Sequence, residues 1–161
     1  MTTFLSLPFP AAIRWPWRSR LAMAGLGGQA PSPGGVSGRG NAAEPLLGKR
    51  ILIVEDEALL AMELQFAFED AGAEVLGPAL SREAALALVE SGDEIDMAVL
   101  DVDLAGRDVY PVARLLRQRG VRFLFHTGHG SREELIALFP DAPTCIKPTS
   151  PERLIAQLAA L

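Results

Sequence analysis

Five side chains that can bind a metal ion or a phosphoryl group follow short apolar segments of this 161-residue chain. They are Glu55, Asp56, Asp101, Thr127 and Lys147. Three carboxylates held close together repel one another, and a hard divalent cation with oxygen ligands, most naturally Mg²⁺, supplies the counter-charge they need. One carboxylate of such a site can attack phosphorus as a nucleophile. A hydroxyl and an ammonium are suited to neutralising the oxygens of the transferred phosphoryl group.

A regular alternation of strands and helices carries these side chains. Short apolar runs rich in β-branched residues predict strands over residues 50–54, 73–77, 96–101, 121–127 and 143–147. Apolar residues at helical spacing predict helices over residues 57–72, 82–91, 109–120, 135–139 and 152–161. Strands that are apolar on both faces and joined by helices predict an α/β fold with a parallel sheet covered on both sides.

The carboxyl ends of the predicted strands are where chemistry is expected. In an open parallel sheet covered by helices, ligands bind beyond these ends. Four of the five predicted strands carry one or two of the polar side chains there, and the second ends in Gly77-Pro78, which offers no reactive group. We therefore expect the three carboxylates, the hydroxyl and the ammonium to meet at one edge of the sheet.

The first 48 residues differ from the rest of the chain. Proline and glycine interrupt every apolar run in residues 1–48, so we expect a flexible extension with neither a membrane span nor a signal peptide. The tryptophan and arginine residues within 14–20 leave contact with an anionic membrane surface open as an alternative. Residues 49–161 are expected to form one domain and contain all but one of the 20 acidic residues, which argues against nucleic acid as a partner. The single cysteine excludes an internal disulfide framework and favours the cytoplasm.

Four short motifs resemble those of a known family. They are ILIVEDE (51–57), VLDVDLAG (99–106), FHTG (125–128) and CIKP (145–148). In this order and spacing they resemble the receiver domain of two-component response regulators, and the resemblance covers residues 49–161. It implies a flavodoxin-like (βα)5 doubly wound parallel sheet with strand order 2-1-3-4-5. The Phe-x-Thr-Gly motif is similar to that of a receiver subgroup with many stand-alone members.

The resemblance implies a phosphoacceptor and a magnesium site. Asp101 would accept the phosphoryl group. Asp56 and Asp101 would bind Mg²⁺ directly, and Glu55 would act through a water molecule. Asp103 would contribute its backbone carbonyl to the metal, so that its side chain need not be a ligand.

The resemblance also implies a switch, although one of its usual parts is absent from the sequence. Thr127 would donate a hydrogen bond to the phosphoryl group, and Lys147 would form an ion pair with it. The peptide bond between Lys147 and Pro148 is expected to be cis. Most receivers carry Tyr or Phe three residues before this lysine, and here the position holds Thr144. One hypothesis is that His129, in the loop after the fourth strand, replaces the missing aromatic side chain as a reporter of phosphorylation.

By this resemblance the chain is a single-domain response regulator in a phosphorelay and not an enzyme. A histidine kinase or a histidine phosphotransfer protein would donate the phosphoryl group to Asp101 and dock on the first helix, at Ala58, Leu59 and Met62. Because the chain ends at Leu161, output is expected through binding to an unidentified protein or through drainage of phosphate from a kinase. The sequence leaves a homodimer open.

Other uses of the same residues remain alternatives. Asp101 and Asp103 match the Asp-x-Asp motif of haloacid-dehalogenase-type phosphatases, but there the motif follows the first strand. With Glu55 they also fit a Toprim-type magnesium enzyme, but that assignment would leave Thr127 and Lys147 without a role. A degenerate receiver that only binds partners is a third alternative. His126 and His129 lack the further ligand that would define a zinc site.

Overall fold

The protein forms a five-stranded parallel sheet with helices on both faces, in a computed structural model that describes residues 44–128 and 132–161. The strands are β1 (Arg50–Val54), β2 (Glu74–Ala79), β3 (Met97–Asp101), β4 (Arg122–Thr127) and β5 (Thr144–Ile146). The helices are α1 (Ala58–Asp70), α2 (Arg82–Glu90), α3 (Tyr110–Gln118), α4 (Arg132–Leu138) and α5 (Pro151–Ala159). The strand order is β2-β1-β3-β4-β5, which confirms the predicted flavodoxin-like sheet.

Two hydrophobic clusters cover the two faces of the sheet. On one face, Ile51 and Ile53 of β1 pack in a cluster with residues of α1 and α5. On the other face, Leu52 and Val54 pack with residues of α2, α3 and α4. All five residues of β3 are buried, including its terminal acid Asp101. Burial on both faces explains why these strands are almost continuously apolar.

The folded domain begins earlier than the predicted boundary at residue 49. Leu46 is fully buried among residues of α1 and α5. Its N–H donates to the carbonyl of Ala71 (3.1 Å), and the N–H of Gly48 donates to the carbonyl of Gly72 (3.0 Å). Residues 44–48 therefore belong structurally to the domain, because they pack on the connection between α1 and β2. The rest of the predicted extension, residues 1–43, lies outside the described residues.

The second strand extends two residues past its predicted end and includes Pro78. This strand lies at the edge of the sheet and pairs only with β1, so the missing N–H of proline breaks no ladder on its other side. The peptide bonds Gly77-Pro78 and Lys147-Pro148 are both cis, the second as predicted. None of the helices in the described parts of the chain is long and apolar enough to cross a membrane.

Candidate metal and phosphoryl site

Three carboxylates meet where β1 and β3 end. The two strands are neighbours in register, with Val54 opposite Leu100, so the residues that follow them emerge side by side. Glu55, Asp56 and Asp101 each place a carboxylate oxygen within 4.8 Å of the others. The first and third of these side chains are buried. The arrangement brings together the three predicted acidic residues, and their oxygens suit a hard cation.

The ammonium of Lys147 lies inside this acidic group. Its Nζ is 2.6 Å from Oδ2 of Asp101 and 2.8 and 2.9 Å from the two carboxylate oxygens of Glu55. The backbone of β4 helps to place it, since the N–H of Lys147 donates to the carbonyl of Thr127 (2.7 Å). Thr127 ends β4 and is buried at the same edge of the sheet. All five side chains expected at this edge are therefore located there.

Burial and neighbouring charges shift the pKa values of Glu55 and Lys147. Burial and the charge of Asp101 raise the pKa of Glu55 from 4.5 to about 7, although the hydrogen bond and charge of Lys147 oppose this shift. Burial by itself lowers the pKa of Lys147, but hydrogen bonds and charge from the same two carboxylates outweigh it, so this pKa is raised. Without a metal ion, the lysine ammonium is the counter-charge of the buried carboxylates.

The pKa of Glu55 predicts how stability depends on pH. Because the folded-state pKa of about 7 lies above the ordinary value of 4.5, the fold favours the protonated carboxyl. That contribution to stability is complete below pH 4.5 and is lost as the pH rises through 7. The Glu55→Gln side chain stays neutral at every pH. Above pH 7 we expect its free energy of unfolding to exceed that of wild type by about 1–3 kcal/mol, and below pH 4.5 we expect the two free energies to be equal.

Urea unfolding in the presence of a chelator measures this difference. Glu63→Gln, an exposed change on α1, is the matched control and should follow wild type at every pH. If the free energy of unfolding of Glu55→Gln depends on pH in the same way as that of wild type, burial of the Glu55 carboxylate does not destabilise the fold at alkaline pH.

The side chain of Asp103 is used within the loop after β3. Its Oδ1 accepts a hydrogen bond from the N–H of Gly106 (2.6 Å), while its own N–H donates to Oδ1 of Asp101 (3.3 Å). The Asp103 side chain is exposed and is not among the three clustered carboxylates. The Asp103 carboxylate is thus hydrogen-bonded to the backbone of its own loop. The role of its backbone carbonyl remains a prediction.

A tight turn that sequence reasoning missed ties this loop to β1. Leu104 and Arg107 exchange backbone hydrogen bonds (2.8 and 3.2 Å) around Ala105 and Gly106, whose φ angles are 54° and 81°. Positive φ at both central residues defines a type I′ turn. The N–H of Ala105 donates to Oδ2 of Asp56 (3.0 Å) and so holds that carboxylate in place. Alanine is unusual at positive φ, so the sequence carried little signal for this turn.

A buried histidine lies beside the site and also escaped the sequence analysis, which weighed it only as half of a zinc pair. His126 precedes Thr127 on β4 and is 1% exposed. Its Nδ1 is 4.0 Å from Oε2 of Glu55. Burial and the charge of Lys147 together lower the pKa of His126 to about 4, against the opposing charge of Asp101, so the ring is neutral at physiological pH. The suggested partner and reporter, His129, lies outside the described residues.

A sequence model of the response regulator receiver domain matches residues 51–159, two thirds of the chain. The chain belongs to this family. Transcriptional regulatory protein TcrA of Mycobacterium tuberculosis is 38% identical to this receiver over 128 residues, which cover 77% of this chain and 50% of TcrA. The chain thus spans about half the length of this curated relative.

Solved structures of receivers agree with this assignment. SdrG from Sphingomonas melonis Fr1 is 38% identical, with a TM-score of 0.59 over 71% of this chain and 95% of that one. A response regulator receiver protein from Sinorhizobium medicae WSM419 is 28% identical, with a TM-score of 0.63 over 70% of this chain and 95% of that one. The matches support a phosphorelay response regulator, and none of them favours the haloacid-dehalogenase or Toprim alternatives. The Phe-x-Thr-Gly subgroup remains a prediction.

Proposed function

We propose that this receiver accepts a phosphoryl group on Asp101 in a reaction that requires Mg²⁺. The observation that carries the proposal is the contact of the Lys147 ammonium with both Asp101 and Glu55 at the edge where Thr127 ends β4. A carboxylate oxygen of Asp101 attacks the phosphorus, and the bond between phosphorus and the donor atom breaks. The product is an acyl phosphate, and the donor leaves with the electron pair of the broken bond.

The donor set fits a magnesium ion. Carboxylate oxygens are the ligands that this hard cation prefers, and three of them already converge at this edge of the sheet. Asp56 and Asp101 would bind it directly, Glu55 through water, and Asp103 through its backbone carbonyl. Bound there, Mg²⁺ would supply positive charge against the crowded carboxylates and the phosphoryl oxygens.

The remaining residues act on the phosphoryl group itself. Lys147 is within reach of the new phosphoryl oxygens because its Nζ already contacts Oδ2 of Asp101 at 2.6 Å. Its ammonium offsets their charge, and the hydroxyl of Thr127 donates a hydrogen bond to one of them. The domain catalyses only its own phosphorylation and dephosphorylation, which is why we propose a signalling protein and not an enzyme with an external substrate.

Intact mass spectrometry tests this function. Incubated with acetyl phosphate and Mg²⁺, the protein should gain the mass of one phosphoryl group, and a chelator should prevent the gain. Hydroxylamine should remove the adduct, because it cleaves acyl phosphates. If neither acetyl phosphate nor a phosphorylated histidine kinase produces an adduct in the presence of Mg²⁺, the proposal is wrong.

The first helix presents an apolar surface next to this site. Leu59 is 79% exposed, and Met62 and Ala58 are also exposed, so these three residues are accessible to a partner. Phe66, one turn further along the same face, is 58% exposed and was not predicted. Such exposed apolar side chains on one helix face mark an interaction surface. Receiver domains interact with histidine kinases or phosphotransfer proteins, and we propose that such a donor docks here.

A charged substitution on this surface should slow phosphoryl transfer from a histidine kinase without slowing transfer from acetyl phosphate. Phe66→Glu is expected to slow transfer from a phosphorylated histidine kinase at least about tenfold, because the variant buries a charge in the interface. Acetyl phosphate needs no docking surface, so its rate should stay at the wild-type value. Leu47→Glu, an equally drastic change at another exposed apolar residue, is the control and should leave both rates unchanged. Equal loss with both donors would indicate damage to the fold instead.

We propose that the phosphorylated domain acts in the cytoplasm, either by binding a downstream protein, alone or as a homodimer, or by draining phosphate from its kinase. The chain's acidity continues to argue against direct contact with nucleic acid.

A further inference from the structure

His126 lies directly behind the acidic group, on the same face of the sheet. It is opposite Asp101 of β3 and opposite Cys145 of β5 in the strand register. The titratable groups facing it are the carboxylates of Glu55 and Asp101 and the ammonium of Lys147. Its neighbour Cys145 belongs to the hydrophobic cluster that packs against α1 and α5, so His126 lies at the border between that cluster and the candidate phosphoryl site.

Both ring nitrogens of His126 are buried. Among the described residues, neither ring nitrogen of His126 has a hydrogen-bond partner. A buried polar group without a partner is destabilising, and a leucine would fill the same space without that penalty. A role in a second state of the site would explain why an imidazole occupies this position.

Phosphorylation of Asp101 would leave the Glu55 carboxylate in need of another hydrogen-bond donor. Lys147 now serves three carboxylate oxygens, two of Glu55 and one of Asp101. Once Asp101 carries the phosphoryl group, negative charge moves outward onto the phosphoryl oxygens, and the ammonium follows it. Oε2 of Glu55 then loses its donor while it remains buried, and the Nδ1 of His126 is already 4.0 Å away.

We propose that His126 is a positioning residue whose Nδ1–H donates to Oε2 of Glu55 in the phosphorylated state, which frees Lys147 to pair with the phosphoryl group. The inference rests on the proposed function of the site. A contraction of about 1 Å converts the present 4.0 Å separation into a hydrogen bond. No proton changes its owner in this step, since the neutral ring already carries one N–H.

A matched pair of variants tests this role with beryllofluoride, a stable mimic of a phosphoryl group on a carboxylate. His126→Leu fills the space without a donor, and its thermal stability should equal or exceed that of wild type because it removes an unpartnered buried polar group. Its affinity for beryllofluoride in saturating Mg²⁺ should fall about tenfold, as expected for a buried carboxylate that loses its donor. His126→Asn, whose amide replaces Nδ1, should recover affinity to within about threefold of wild type. The affinity for Mg²⁺ alone should be unchanged in both variants, because Nδ1 and Oε2 are not hydrogen-bonded before phosphorylation.

Spectroscopy on the wild type supplies an independent measurement. Long-range ¹⁵N–¹H spectra of the His126 ring should place the proton on Nδ1 when beryllofluoride is bound. Unchanged beryllofluoride affinity in His126→Leu, or a proton on Nε2 in the bound state, would overturn the inference. Equal loss of Mg²⁺ and beryllofluoride affinity would also overturn it and would show a purely structural role. Wild-type protein that binds no beryllofluoride and accepts no phosphoryl group would instead refute the proposed function.

Discussion

Asp101→Asn should gain no phosphoryl group under conditions in which wild type is fully converted. The amide lacks the anionic oxygen that attacks phosphorus, and it removes one of the three charges that favour Mg²⁺. Asparagine is close to isosteric with aspartate, so the hydrogen bond from the N–H of Asp103 to Oδ1 can persist and the fold should be retained. Intact mass after incubation with acetyl phosphate and Mg²⁺ measures the effect.

Asp103→Asn is the matched control, since it makes the same chemical change two residues later. Its Oδ1 can still accept the N–H of Gly106, and its backbone carbonyl is unaltered, so phosphorylation should proceed within about threefold of the wild-type rate. An adduct that survives in Asp101→Asn would identify another acceptor. Loss of the adduct in Asp103→Asn would give that side chain a direct part in the reaction.

Lys147→Met should both destabilise the metal-free protein and slow its phosphorylation. The variant leaves the buried carboxylate of Glu55 and its neighbour Asp101 without their counter-charge. Breaking a buried ion pair in this way costs about 3 kcal/mol. The loss should be largest at alkaline pH and smaller in acid, because Glu55, whose pKa is already raised to about 7, can then take up a proton. The rate with acetyl phosphate should fall about a hundredfold, because no ammonium offsets the phosphoryl charge.

Urea unfolding in chelator, at acidic and alkaline pH, measures the stability change. Lys49→Met is the control, because it removes an exposed lysine whose pair with Asp96 spans 3.8 Å and should cost under about 0.5 kcal/mol. The double variant Lys147→Met/Glu55→Gln should regain most of the lost stability but none of the lost rate. A single variant as stable as wild type at alkaline pH would contradict the proposed role of Lys147 as counter-charge.

Local pattern in the sequence determined the α/β class, the elements and the edge of the sheet where the polar residues gather. Runs such as 97–101 are apolar on both faces because helices cover both, and a strand of a parallel sheet needs that composition. Since parallel strands end at one edge, the predicted positions of Glu55, Asp101 and Lys147 followed from strand ends alone, and the structure locates them together. Their chemical roles still rest on the resemblance and the proposed experiments.

Contacts between distant parts of the chain were decided only by the tertiary structure. Leu46 follows a glycine- and proline-rich stretch and gave no sign of burial, yet packing against α1 and α5 places it in the core. The turn at Ala105 reaches Asp56, which is 49 residues away, through one backbone N–H that any residue except proline would supply. The sequence suggested His126 only as half of a weak metal pair with His129, whereas the packing of the strands places it beside Glu55. Periodicity reports which face of an element is apolar, whereas partners such as these depend on how the elements pack.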